Sequence, residues 1–112
     1  MNDIYRGDKK DYTLAFKDNA GVAVPITGWK IYFTMKKNLN QSDAQAAIRV
    51  DIIEHDDPDN GLTSFHLTNA QTYELIPGIY YYDIQVEKAE NDILTIVSGE
   101  ITILADVTRR ET

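Results

Sequence analysis

One stretch of the sequence decides the fold: Leu75-Ile-Pro-Gly-Ile-Tyr-Tyr-Tyr-Asp-Ile-Gln-Val86. After the proline and glycine, the side chains of Tyr80, Tyr82, Ile84 and Val86 fall on one face of an extended chain. A period of two is typical of a strand with one buried face. Tyrosine suits such a face because its ring packs well while its hydroxyl can reach a partner at the edge of the core. The stretch therefore predicts a central strand.

The same alternation recurs on both sides of this strand. It predicts four earlier strands, with inner faces formed by Tyr12, Leu14 and Phe16; by Trp29, Ile31, Phe33 and Met35; by Ile48, Val50 and Ile52; and by Thr63, Phe65 and Leu67. A last strand begins at Ile93, and Ser98-Gly99 is expected to interrupt it with a bulge or a bend. About seven short strands separated by turns favour an all-β fold, an antiparallel sandwich with one or two short helical turns.

The segments between the strands carry turn signals. Ser42-Asp-Ala-Gln45 and Thr68-Asn-Ala-Gln71 have the spacing of a capping box, so each predicts a short helical turn. Asn60-Gly61 is a dipeptide that favours hairpins, and Lys17–Gly21 has the composition of a tight turn. Residues 1–9 are polar overall and are expected to lie along the edge of the domain.

Length and composition restrict the classes of protein to consider. The 112 residues are expected to form a single domain, residues 1–112, and the 43% hydrophobic and 26% charged content is that of an ordinary globular chain. A net charge of -7 opposes binding to nucleic acid and to anionic membranes. No apolar stretch approaches the roughly 20 residues that span a bilayer. We therefore expect neither nucleic acid nor membrane as a partner.

The sequence offers no group of residues that suits catalysis. There are no cysteines, and the only histidines are His55 and His66, neither of which adjoins a serine on a sharp elbow between a strand and a helix. The acidic loop Glu54–Asn60 carries oxygen ligands of the kind calcium prefers, but its spacing does not match a calcium loop and a solvated turn is the simpler interpretation. We expect no enzymatic activity, no cofactor and no metal.

Some large side chains are predicted to point away from the core. Alternation places Tyr32, Tyr81 and Asp83 on outer faces, and Ile53 follows a strand whose two faces are both partly apolar. Exposed apolar patches mark sites of packing or binding. The four residues Tyr32, Ile53, Tyr81 and Asp83 are therefore a candidate interaction face, which would form a homo-oligomer or contact neighbouring proteins.

Several short motifs follow one another along almost the whole chain. They are Arg6-Gly-Asp8, Lys17-Asp-x-x-Gly21, Ile26-Thr-Gly-Trp-x-Ile-Tyr-Phe-Thr34, Leu67-Thr-x-x-x-Thr72, Leu75-x-Pro-Gly-x-Tyr-x-Tyr-Asp-Ile84 and Asp106-Val-Thr108. In combination they resemble the small immunoglobulin-like domains of tailed-phage and prophage structural proteins, especially the N-terminal domain of baseplate upper proteins.

The resemblance implies an immunoglobulin-like β-sandwich in a virion, made in the cytoplasm of a bacterial host. It implies a non-catalytic structural module whose partners are other phage tail or baseplate proteins. The alternative from the residues alone is a carbohydrate-binding β-sandwich for attachment to a host surface. In that case Tyr32 and Tyr81 would stack on sugar rings, and the acidic loop would bind hydroxyl groups, with or without calcium.

Overall fold

The computed structural model describes residues 3–105, and its regular structure is mainly β-strand. The strands are β1 (Ile4–Tyr5), β2 (Lys10–Ala15), β3 (Lys30–Lys36), β4 (Ile48–Ile52), β5 (Leu62–Leu67), β6 (Gly78–Glu87) and β7 (Ile93–Leu104). One α-helix, α1, spans Asn69–Tyr73, and 3₁₀ turns lie at Asp43–Gln45 and Pro58–Asn60. The all-β class predicted from the sequence is confirmed. The Asp106-Val-Thr108 motif lies outside the described residues.

Five strands form one mixed sheet in the order β1-β7-β6-β3-β4. Strand β6 pairs with β3 on one side and with β7 on the other, so the predicted central strand is confirmed. Its inner side chains Tyr80, Tyr82, Ile84 and Val86 are buried. Such residues each contribute roughly 1.5–3 kcal/mol through removal of apolar area from water.

The remaining two strands, β2 and β5, pair antiparallel in a second, smaller sheet that covers β3 and β6. The ring of Phe65 on β5 lies 5.0 Å from the ring of Phe33 on β3, and Phe33 lies 6.0 Å from Tyr82 on β6. Tyr12 on β2 closes the group at 5.2 Å from Phe65. Offset aromatic contacts at these distances add to the stabilisation that burial gives. One continuous core therefore lies between the two sheets.

The sequence predicted antiparallel pairing throughout, but one pair of strands is parallel. Strand β1 runs parallel to β7, with Tyr5 opposite Leu104 and Arg6 N donating to Leu104 O at 2.9 Å. Residues 1–9 were expected to lie along the edge of the domain or to reach toward a neighbour, and within this segment Ile4 is fully buried. The segment does lie at the sheet edge. A single isoleucine among polar neighbours forms no alternating pattern, so its burial could not be predicted from the sequence.

The expected interruption at Ser98-Gly99 was wrong. Gly99 pairs in register with Tyr82, and the irregularity falls at Ile96, where Val97 pairs with Ile84 but Thr95 pairs with Gln85. A methyl group at Gly99 would meet Cε1 of Tyr82 at 3.1 Å. Glycine is present because the tyrosine ring lies against the strand there, which is the other common reason for a strand glycine.

The hairpin expected at Asn60-Gly61 does not join neighbouring strands. The strands before and after it, β4 and β5, belong to different sheets, and the chain crosses between the sheets through the 3₁₀ turn at Pro58–Asn60. Gly61 has a φ of 70°, and a Cβ there would lie 2.6 Å from the carbonyl oxygen of Val24. Because it lacks a Cβ, Gly61 permits both the positive φ of the turn and the close approach of two backbone segments at this crossing.

Both predicted helical turns are confirmed. At the start of α1, Thr68 Oγ1 accepts a hydrogen bond from Gln71 N at 3.1 Å, and Gln71 Oε1 accepts one from Thr68 N at 2.9 Å. This reciprocal pair satisfies two backbone donors that a helix start leaves unpaired. The earlier turn follows the same logic, because Ser42 N donates to Gln45 Oε1 at 3.1 Å. The first turn is a 3₁₀ turn of three residues and does not continue as an α-helix.

Candidate interaction surfaces

Three of the four residues predicted to form an interaction face lie on the outer side of the five-stranded sheet. Tyr32 on β3 and Tyr81 and Asp83 on β6 are all half-buried. The hydroxyl of Tyr32 donates a hydrogen bond to Glu87 Oε1 at 2.9 Å. This bond raises the pKa of Tyr32 above its usual value of 10.0, because ionisation would remove the donated proton and place a second negative charge beside the carboxylate.

The register shows that this outer side is polar. Each of the three residues has polar or charged neighbours across the ladder: Asp51 and Gln85 flank Tyr32, Thr34 and Ser98 flank Asp83, and Lys36 and Glu100 flank Tyr81. A shallow depression of about 230 Å³ lies over Tyr81 and Asp83. Alternating charged and polar rows of this kind are typical of a solvated sheet face.

Ile53 does not belong to this surface. It follows the end of β4, is 66% exposed, and lines a different depression of about 530 Å³ between β4 and β5. That depression also contains the outward side chains of Ser64 and His66. The four predicted residues Tyr32, Ile53, Tyr81 and Asp83 therefore do not share one depression: Tyr81 and Asp83 line one, Ile53 lines another, and Tyr32 lines neither of these two.

The histidines have different environments. His55 is held between the sheets, with Nδ1 2.9 Å from Thr63 Oγ1 and Nε2 2.8 Å from the carbonyl oxygen of Trp29. A neutral imidazole can donate one of these bonds and accept the other. His55 thus connects β5 to the residue before β3, and both its nitrogens have partners. His66 is exposed on the outer side of β5, as the alternation predicted.

The acidic loop has hydrogen bonds of its own. Asn60 Nδ2 donates to Asp57 Oδ2 at 2.9 Å, and Asn60 N donates to Asp57 O at 3.1 Å. Within residues 3–105, no cluster of three or more histidine or acidic side chains is arranged to hold a metal ion. These contacts match the interpretation of the loop as a turn that its own side chains stabilise.

The sequence interpretation missed a more apolar surface, on the first half of β7. Four of the five side chains from Ile93 to Val97 are large, apolar and exposed: Ile93 at 53%, Leu94 at 53%, Ile96 at 37% and Val97 at 39%. The inner face of β7 is buried only from Ile101 onward. Among the described residues the second sheet has only two strands, and these cover β3 and β6 but leave this half of β7 without a covering strand.

A cleft of about 180 Å³ adjoins this part of β7. It is lined by Phe16, Trp29 and four aliphatic side chains, among them Leu94 and Ile96. Within the described residues, the charged side chains that line this cleft are those of Lys17 and Lys88. Phe16 and Trp29 meet edge to face at 5.6 Å, and Lys88 Nζ lies 5.1 Å from the centre of the Trp29 ring, within the range of a cation–π contact.

A signal for this surface is present in the sequence. Ile93-Leu-Thr-Ile-Val97 has apolar residues on both faces of an extended strand, whereas the outer positions of β6 are mostly polar. A strand that is apolar on both faces is expected where both faces are covered. In the described chain neither face is fully covered at these residues, so the pattern indicates a binding surface.

Comparison with known proteins adds no relative. No protein-family model matches the chain, and no curated protein is significantly similar to it in sequence. In the part of the chain that the structure describes, no helix has the length and apolar character to cross a membrane. Surface chemistry and the sequence motifs therefore carry the functional proposal.

Proposed function

We propose that this chain is a non-catalytic structural module of a phage or prophage virion, which acts by assembling with other tail or baseplate proteins or with further copies of itself. Its location would be the virion, after synthesis in the cytoplasm of the bacterial host. The observation that carries the proposal is the exposed apolar run on β7, from Ile93 to Val97.

An exposed apolar strand of this kind is unusual in a protein that acts alone. A strand at a sheet edge presents unpaired N–H and C=O groups, and proteins usually protect such edges with charges, proline or a covering segment. Ile93–Val97 contains none of these residues. Large apolar patches on monomeric surfaces generally mark a site of interaction. Assembly with another chain would cover both the backbone groups and the side chains.

The motif order along the chain supports a virion role by resemblance. The two-sheet, all-β fold is compatible with the immunoglobulin-like sandwich that this resemblance implies, and we propose that classification as well. The environment of His55 also favours a structural role, because both ring nitrogens are used in contacts that join the sheets. A histidine that acts in general acid–base catalysis needs a nitrogen that can reach a substrate.

Light scattering on the purified protein tests this proposal, alone and mixed with tail and baseplate proteins from the same phage genome. We expect a self-associated species or a complex, and we expect Ile96→Lys to abolish it. Ile76→Lys is the matched control, since Ile76 is exposed and apolar but lines a different depression, beside Leu75 and Tyr80. A strict monomer at high concentration that binds none of these proteins would contradict the proposal.

The alternative function, carbohydrate binding, rests on the depression over Tyr81 and Asp83. An aromatic ring beside polar side chains is the usual chemistry of a sugar site, and Gln85 and Ser98 also line this depression. Binding to bacterial cell-wall glycans on an array, lost in Tyr81→Ala and retained in Tyr5→Ala, would favour this alternative. A blank array with and without calcium would eliminate it.

A further inference from the structure

We propose that the open edge of β7 and the cleft beside it bind an extended, apolar segment of a partner protein that carries an acidic residue. The segment would add to the five-stranded sheet as a further strand, and its carboxylate would lie near Lys17 and Lys88. This inference rests on the proposed function and specifies both the surface and the partner.

The edge of β7 supplies the backbone groups. Within residues 3–105, no strand pairs with Ile93–Thr102 on the side of β7 that faces away from β6. Leu104 O accepts from Arg6 N on that side. Since alternate residues of a strand direct their N–H and C=O groups to opposite sides, Thr102, Glu100 and Ser98 direct theirs to the same open side. A partner strand is the ligand whose backbone matches such a row.

The described chain already uses part of this position. Strand β1 lies beside β7 at Ile103 and Leu104, and the side chain of Ile4 is fully buried there. A strand beside β7 therefore directs an apolar side chain into the core. Beside the residues of β7 that precede Ile103, this position is open, and the exposed side chains of Leu94 and Ile96 belong to that part of the strand. An added strand with apolar inward residues would cover them.

The charge around the cleft selects the partner. The chain as a whole carries a net charge of -7, yet the charged side chains that line the cleft, within the described residues, are the two cations Lys17 and Lys88. Their acidic chain neighbours Asp18 and Glu87 do not line it. A group bound in the cleft therefore meets the two lysines directly, and more distant charges are screened at physiological ionic strength. A carboxylate at the end of the bound segment would complement them, whereas a lysine there would be repelled.

The probe is an acetylated and amidated peptide of seven residues, in which valine and threonine alternate and the last residue is aspartate. The matched peptide ends in lysine. Trp29 is the only tryptophan and lines the cleft, so its fluorescence reports binding directly. We expect the acidic peptide to bind about tenfold more tightly than the basic one, and Lys88→Glu to remove this preference because the new carboxylate offsets the charge of Lys17.

A second variant tests the pairing with the strand edge. Ser98→Pro removes an N–H that faces the open side and leaves the ladder with β6 intact, as proline at an edge position allows. We expect it to weaken both peptides strongly, while Ser98→Ala leaves binding unchanged. Amide NMR signals of Ser98, Glu100 and Thr102 should shift when the acidic peptide binds. Circular dichroism of each variant verifies that the fold is retained.

Four results would overturn the inference, and the last of them would leave the proposed function standing. One is the absence of any fluorescence or NMR change at millimolar peptide. Another is equal binding of both peptides in the parent protein. The third is a dimer of the protein alone that Ser98→Pro dissociates, because a second copy would then occupy the edge. A complex with tail or baseplate proteins that survives in Ser98→Pro would remove this inference but leave the proposed function standing.

Discussion

The two halves of β7 both contain isoleucines, and these isoleucines have opposite environments. Ile101 in the second half is 0% exposed, whereas Ile96 in the first half is 37% exposed. Both are isoleucines in one strand that pairs on one side with β6, and Ile96 lies at the irregularity in that pairing. The second half has β1 beside it at Ile103 and Leu104 and buried inner side chains. Among the described residues, the first half has no strand on that edge and its side chains are exposed.

The difference shows that alternation predicts a strand but not what covers it. A side chain contributes to stability only to the extent that folding removes it from water. Substitutions in the first half of β7 therefore cost little stability in the isolated chain, because folding removes only part of these apolar side chains from water. Such positions are the ones where a partner could provide the missing burial.

Substituting matched isoleucines tests the comparison most strongly. We expect Ile101→Ala to lower the free energy of unfolding by about 2–5 kcal/mol, since it leaves a cavity in the core. Ile96→Ala should cost at most about 1 kcal/mol, because the side chain is partly in water already. Urea denaturation of the two variants measures both values. Equal losses would show that the first half of β7 is as well covered as the second.

His55→Ala tests how the covered region is held together. The substitution would leave Thr63 Oγ1 and the Trp29 carbonyl without their imidazole partner, and Thr63 is fully buried. An unsatisfied buried polar group costs about 1–3 kcal/mol, so thermal unfolding should occur at a clearly lower temperature. The control is His66→Ala, on the exposed side of β5, which should unfold like the parent. Parent-like unfolding of His55→Ala would contradict the structural role.

Gly99→Ala locates the boundary between the two halves. The new methyl group would lie 3.1 Å from Cε1 and 3.2 Å from Oη of Tyr82, so the buried ring must shift. Overpacking of this kind costs about 1–3 kcal/mol, and the low end is expected here because a shift of a few tenths of an ångström suffices. Ser98→Ala, one residue away and exposed, should be neutral. A neutral Gly99→Ala would place the boundary nearer to Ile101.

The smallest effect is expected at alkaline pH. Burial raises the pKa of Tyr12 and of Tyr80 in the covered region above 10.0, and the bond to Glu87 does so for Tyr32 on the outer side. Above pH 10.0 the unfolded chain has lost these protons while the folded chain retains them, so stability should fall as the pH rises. Below that pH the contribution is fully present.

Urea midpoints measured between about pH 8 and pH 11 check this expectation, since ordinary tyrosine ionises near pH 10. Tyr32→Phe should reduce the alkaline loss without removing it, because Tyr12 and Tyr80 remain. If the urea midpoint increased as the pH was raised above 10, the direction of all three pKa shifts would be contradicted.

Local patterns in the sequence predicted the elements well. Period-two alternation identified β6 and the buried side chains of Thr63, Phe65 and Leu67, because the inward direction of a strand is set by its nearest neighbours in the chain. The capping box at Thr68 was equally local. The outward positions of Tyr81 and Asp83 followed from the same alternation.

Long-range pairing could not be predicted in the same way. Asn60-Gly61 has the composition of a hairpin, yet the next strand pairs with β2 instead of β4. Ile53 and Tyr32 were both predicted to point outward, but Ile53 lines a depression beside β5 that does not include Tyr32. The cleft beside β7 joins Phe16, Trp29 and Leu94, which are far apart in the chain, so no short motif could indicate it.

Backbone hydrogen exchange on the isolated protein, at concentrations where it is monomeric, tests the central claim most directly. The claim is that the edge of β7 from Ile93 to Thr102 is open for a partner strand. We predict that the amides of Ser98, Glu100 and Thr102 exchange rapidly, while those of Val97, Gly99 and Ile101, which face β6, exchange slowly. Slow exchange at all six amides would contradict the claim, because it would show that the edge is already paired within the single chain.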